Sequence, residues 1–237
     1  MRKRIANENG FSLFELVIAM GITMVVMVIA SSLIAMSFKV RARENRRSEA
    51  LQDAQRALQV MTRDISNAGM GLSFNGLVTA DTGSSSIRIR TNLDPTANQT
   101  TAEDGEDVKY RLISDTNGKF IVRLTLQPVP ASWAAGTTIL ANRVDSMTIR
   151  YFRQKVSYTA DTTNCDITSV SPANVTVNGS TVANEVASTP TLATYVVISI
   201  CVQLPAVGNS GQLGYQPASQ VQLVSDATLR NNNLLYY

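Results

Sequence analysis

The longest apolar run lies at residues 16–38, where no side chain is ionisable. At about 1.5 Å of rise per residue, a helix over this run crosses the roughly 30 Å hydrocarbon core of a bilayer. Gly21, Thr23, Ser31, Ser32 and Ser37 are interspersed in it, and such small residues let helices approach closely in lipid. The pattern then changes without a break. Residues 39–68 contain no proline or glycine, and Leu51, Ala54, Leu58, Met61, Ile65 and Ala68 recur at spacings of three and four. That spacing draws one apolar stripe along a helix. Gly69 and Gly71 supply the stop, because glycine readily takes the left-handed conformation of a helix C-cap. The two patterns together predict one helix of about sixty residues, roughly 85 Å long. Its first half is apolar all round. Its second half is amphipathic and needs a sheet or helix to cover the stripe.

Beyond residue 72 the period changes to two. Residues 87–91 alternate, as do Val108, Tyr110 and Leu112 with their polar neighbours. Phe120, Val122, Leu124 and Leu126 share a face opposite Ile121, Arg123, Thr125 and Gln127. Met147, Ile149 and Tyr151 alternate with Thr148 and Arg150, and residues 195–204 form the strongest strand pattern, with Val196, Ile198, Ile200, Val202 and Leu204 on one side. Val221 and Leu223 predict a last strand. These patterns predict a mainly antiparallel sheet with one covered face. The segments 92–107 and 159–190, rich in Thr, Asn, Ser, Asp and Ala, read as long loops. The fold class is therefore α+β, a long N-terminal helix packed on a mainly antiparallel sheet.

Charge divides the chain differently from its formal total of +3. Residues 70–237 hold eleven basic and twelve acidic residues, so the β-rich part is near neutral and its field gives no argument for nucleic acid. The basic excess lies at Arg2, Lys3 and Arg4 before the apolar run, and at Lys39, Arg41, Arg43, Arg46 and Arg47 after it. The second group fits anionic lipid headgroups, with DNA as the lesser alternative. Its five cations outweigh the three in front, so charge counting alone places the C-terminal part in the cytoplasm or leaves orientation undecided.

The inventory of reactive side chains is short. Histidine is absent, which excludes the usual Ser-His-Asp and Cys-His pairs and any histidine-ligated metal within this chain. No phosphate-binding loop is present, and Gly69-Met70-Gly71 follows a helix rather than a strand, so it is no dinucleotide fingerprint. An enzyme is not expected, nor is a cofactor. Glu103, Asp104, Glu106 and Asp107 surround Gly105. Four carboxylates on a turn can ligate calcium, but the spacing is not that of an EF-hand, and a solvated turn is the plainer expectation. Cys165 and Cys201 are the only cysteines. An exported domain behind a single membrane segment lets them form a disulfide; two separate thiols, one buried in a strand, is the alternative.

One residue breaks the apolar pattern. Glu15 stands near the start of the run, directly after Gly10-Phe11-Ser12-Leu13-Phe14, although a carboxylate within a membrane segment is costly. This stretch resembles the prepilin cleavage and methylation signature of type IV pilins and pseudopilins: a short basic leader ending in Gly, then Phe, then Glu at the fifth mature position, ahead of an apolar helix. The resemblance covers about residues 2–40. A looser likeness to PilW-type minor pilins and J-type pseudopilins continues through residues 57–69, 144–151 and 229–231.

The resemblance implies a leader at 1–10, a transmembrane and filament-core helix at 11–38, its amphipathic continuation at 39–71 and a periplasmic β-rich domain at 72–237. A prepilin peptidase would cut after Gly10 and methylate the amine of Phe11. The subunit would begin in the bacterial inner membrane and then enter a pilus or pseudopilus. Its partners would be other pilins or minor pilins through the helix, the inner-membrane assembly machinery and membrane lipid, with nucleic acid not expected. Glu15 would pair with the Phe11 amine of a neighbouring subunit. The apolar segment has no proline and the chain is long, which favours a minor subunit, and Glu15 argues against a K-type pseudopilin. The expectation is a minor pilin that helps initiate or cap a type IV pilus. The alternatives are a J-type minor pseudopilin of type II secretion, a membrane-anchored periplasmic binding protein without an assembly role, and a secreted protein cut near Ser37.

Overall fold

The computed structural model describes residues 11–93, 106–116, 118–125, 137–204, 206–211 and 215–231. One unbroken helix, α1 (Leu13–Ser66), opens the described chain. It ends two residues before the predicted Ala68. Gly69 and Gly71 then take positive φ, +77° and +71°, as the stop requires. Eleven strands follow: β1 (Ser86–Arg90), β2 (Asp107–Asp115), β3 (Gly118–Thr125), β4 (Thr137–Ala141), β5 (Val144–Phe152), β6 (Ser157–Asp161), β7 (Asp166–Ser171), β8 (Asn174–Val177), β9 (Ser180–Ala183), β10 (Tyr195–Leu204) and β11 (Ser219–Thr228). The fold is α+β, and every pairing among these strands is antiparallel.

The chain divides into two compact units. The first joins Met1–Arg46 to Val207–Gln216. Within it Val207 and Gln216 form an isolated antiparallel bridge, and the Arg43 guanidinium donates to Gln216 Oε1 at 2.6 Å. Residues 11–35 are all exposed.

The second unit comprises Arg47–Ala206 and Pro217–Tyr237. Two sheets replace the single predicted one: a four-stranded sheet ordered β1-β2-β3-β4 and a three-stranded sheet ordered β11-β10-β5. Both contribute to one core with α1, in which Ala54, Ala57, Met61 and Ile65 meet Ile87, Tyr110 and Ile121 of the first sheet and Ile149, Val196 and Ile198 of the second. Alanine at Ala50, Ala54 and Ala57 keeps the buried stripe narrow, and Leu51, predicted on that stripe, is only half-buried beside buried Ala50. A smaller cluster of Phe152, Val156, Ile167, Tyr195 and Val197 fills the other face of the second sheet.

Three expectations are corrected. The segment 159–190 is not one long loop: it carries most of the hairpins β6–β7 and β8–β9. Their strands are short and largely exposed, which is why their composition resembles a loop. The face of β3 that enters the core with α1 is that of Ile121, not the Phe120–Val122–Leu124 face. Arg123, on the Ile121 face, is accommodated there because its Nε–H points to Tyr110 Oη at 3.2 Å and to Asp64 Oδ2 at 3.4 Å. The acidic run is not simply a solvated turn. Glu106 and Asp107 are 4% and 0% exposed, while Glu103 and Asp104 lie outside the described residues.

Candidate functional site

The candidate site is the start of α1. Ser12 is the N-cap: its Oγ accepts from the Phe14 N–H at 3.3 Å, and its carbonyl accepts from the Leu16 N–H at 3.1 Å. Glu15, three residues on, reaches back, and its Oε2 accepts from the Ser12 N–H at 3.0 Å. Ser12 and Glu15 thus satisfy two of the amide donors that every helix start leaves open, the reciprocal arrangement of a capping box. The carboxylate also lies where the positive end of the helix dipole favours a negative charge. Phe11, directly before the cap, is 90% exposed. The sequence reading missed this local role of Glu15, although Ser-x-x-Glu ahead of an apolar run is its recognised signature.

The apolar surface follows at once. Leu13, Phe14, Met20, Ile22 and Met24 are each more than half exposed. The helix is long and apolar enough to cross a membrane. Its apolar side chains have no partner among the described residues of this chain, so their burial requires lipid or other chains. The basic run after it is held unevenly. Arg43 is engaged by Gln216, whereas Lys39, Arg41, Arg46 and Arg47 are exposed.

Farther along, the last turns of α1 are tied to the first sheet by polar contacts. Tyr110 Oη donates to Asp64 Oδ2 at 2.5 Å, and Arg123 lies against both. Burial is the main cause that pushes the Tyr110 phenol well above its ordinary range. A half-open cavity of about 290 Å³ adjoins this group, lined by Asp64, Asn67, Leu93, Glu106 and Arg123 among others. On the opposite face of the first sheet an ion network runs through five side chains. Asp107 accepts from Arg88 Nε and Nη2 at 2.8 and 2.7 Å and from Arg90 Nε at 2.9 Å. Arg88 Nη1 also donates to Asp81 at 2.7 Å, and Lys109 pairs with the same carboxylate. Lys109 is the leading cause that holds the Asp81 carboxyl below its usual range. Glu106 Oε1 accepts from the Leu93 N–H at 2.7 Å.

The described halves of the acidic run thus have structural partners. Among the described residues no three histidine, cysteine or carboxylate side chains come together as a metal site. Cys165 and Cys201 are joined as a disulfide with a Cα separation of 5.8 Å, which ties the turn of the β6–β7 hairpin to β10. Gly10 and the leader cations Arg2, Lys3 and Arg4 lie outside the described residues.

A family model described as the prokaryotic N-terminal methylation motif matches residues 5–37. The match spans the cap, Glu15 and the exposed apolar helix, and it supports a prepilin-like N-terminus. No curated protein matches the chain.

Proposed function

We propose that this chain is a minor subunit of a type IV pilus, cut after Gly10 and methylated on Phe11 by a prepilin peptidase. The observation that carries the reading is the placement of Gly10-Phe11 and Glu15 in the methylation motif at 5–37, at the start of a helix in which every residue from 13 to 35 is exposed. Cleavage creates a positive amine at Phe11 in apolar surroundings. A carboxylate from a neighbouring subunit at nearly the same depth neutralises it, and opposite charges attract strongly where the dielectric is low. Glu15 supplies that carboxylate and so sets the register between helices.

Before assembly the helix spans the inner membrane once, with residues 39–237 in the periplasm. The leader-first route of a prepilin overrides the adverse count of basic residues, and the exposed cations Lys39, Arg41, Arg46 and Arg47 meet lipid headgroups. On assembly the helix exchanges lipid for the helices of other pilins, delivered by the inner-membrane machinery. The subunit is structural, without catalytic chemistry or a cofactor of its own, and it helps initiate or cap the filament.

Deletion of the gene with complementation tests the reading. Loss of surface pili, restored by the parent chain, is the expected result. Intact piliation with failed protein secretion contradicts it and assigns the chain instead to a J-type pseudopilin. Neither defect indicates an anchored binding protein.

A further inference from the structure

Among the described residues, none pairs with the outer edge of β11 over residues 220–228. β11 pairs with β10 on one side only, over all ten residues and without a register shift. Alternate residues of such a strand direct backbone N–H and C=O groups outward. The free sides of β1 and β5 are treated differently. Arg90 N–H and Val78 N–H bond the Gly76 and Arg88 carbonyls beside β1, while Ile149 N–H and Val186 N–H bond the Ser84 and Tyr151 carbonyls beside β5. No described segment does this for residues 220–228. That stretch has no lysine, proline or bulge, and its one charged side chain, exposed Asp226, lies beside Tyr158 on the face away from the α1 core.

Beside this edge lies a groove of about 420 Å³ between strand and helix. Gln59, Thr62, Arg63 and Ser66 of α1 line one side, and Ser225 and Arg230 line the other. Thr62 Oγ1 and Ser225 Oγ meet at 3.2 Å across it. The lining has two guanidiniums, hydroxyls and amides, and no carboxylate. Among the described residues Arg230 forms no ion pair, and Arg63, its side chain 69% exposed, pairs only with its neighbour Asp64 at 3.2 Å. An exposed pair of that kind contributes little, so a better-placed carboxylate can take the arginine over.

We propose that the β11 edge and the flank of α1 form a docking groove for an extended acidic segment of a neighbouring protein chain. The segment adds a strand to β11 through main-chain hydrogen bonds, as in other cases of strand addition. Its side chains alternate, so every second one faces the helix flank, where Arg63 and Arg230 bind carboxylates in forked, charge-assisted hydrogen bonds. The polar lining disfavours an apolar strand.

The test uses the full chain in detergent and a blocked fluorescent octapeptide, Thr-Glu-Val-Glu-Thr-Glu-Val-Thr, with binding read by anisotropy. The acidic peptide binds; the same peptide with Lys for Glu does not. Combined Arg63→Gln and Arg230→Gln weakens binding by about tenfold or more, and the corresponding Lys variants recover part of it. A peptide N-methylated at alternate amides along one edge fails to bind, a result that depends on no variant folding. Four results with the intact chain and its arginine variants overturn the proposal. They are no binding of the acidic peptide, equal binding of the Lys peptide, an unchanged affinity in the Gln variant, and displacement of the peptide by single-stranded DNA. A chain ended after Asn231 that binds the peptide about tenfold tighter also overturns it, since its own tail is then the occupant.

Discussion

Glu15 has two roles that one substitution separates. As a cap it needs an acceptor oxygen, which glutamine also offers; as the partner of a buried amine it needs a charge. Glu15→Gln therefore leaves the helix start intact but abolishes assembly into filaments, as does Glu15→Ala. Filament yield with circular dichroism of the purified subunit checks this. Normal filaments from the Gln variant would show that the capping bond to Ser12 is the only role of Glu15. The capping pair was legible in Ser12-Leu13-Phe14-Glu15. The inward turn of Arg123 was not, because its partner Asp64 lies 59 positions away and alternation alone makes an arginine look solvent-facing. Tyr110→Phe removes the hydroxyl between them and leaves Asp64 with the poorer contact to Arg123. We expect a loss of roughly 1–3 kcal/mol in folding stability, measured by denaturant unfolding.

At the scale of elements, the helix and the long strands were readable because burial imposes a period on them. Residues 195–204 were predicted as the strongest strand, and β10 occupies that span. The two small hairpins are hidden from a reading by composition, which in segment 159–190 resembles that of a loop, but not from one by turn chemistry. Asn178-Gly179 between Val177 and Ser180 is a strong two-residue hairpin signal, and both residues take positive φ, 50° and 79°. The disulfide fastens the other hairpin to β10 and closes a separation of 36 residues. On the chain-entropy account, replacing both Cys165 and Cys201 with serine lowers stability by roughly 2–4 kcal/mol, seen as a lower unfolding midpoint. The turn after α1 is the tighter element. A Cβ on Gly76, at φ +77°, would stand 2.1 Å from the Gly69 backbone nitrogen and 2.5 Å from the Arg90 carbonyl oxygen. Gly76→Ala accordingly destabilises more than Gly179→Ala, whose Cβ meets open space, because only the first combines strain with a backbone clash. Parallel denaturant unfolding of the two variants reads the difference.

For the whole molecule, electrostatics sets how the fold answers acid. The Asp81 carboxyl is held below its ordinary range by Lys109 above all, with help from Arg88, against the opposing effect of burial. A lowered carboxyl stabilises the fold above its unfolded value and loses that contribution as pH falls through the folded one. Asp81→Asn should therefore reduce stability at neutral pH and flatten its decline below about pH 4, read from unfolding midpoints across acid buffers. The anchor was legible as a whole because an exposed carboxylate at the head of an apolar helix needs a special chemistry. The β-rich part was legible only as a class, since its polar partners come from distant segments.

The central claim rests on the new N-terminus, and the most direct measurement is the mass of the N-terminal peptide of the native protein from its own cell envelope. A chain beginning with methylated Phe11 is the predicted result. A chain beginning at Met1, or beyond Ser37, would contradict prepilin processing and the pairing role of Glu15 with it.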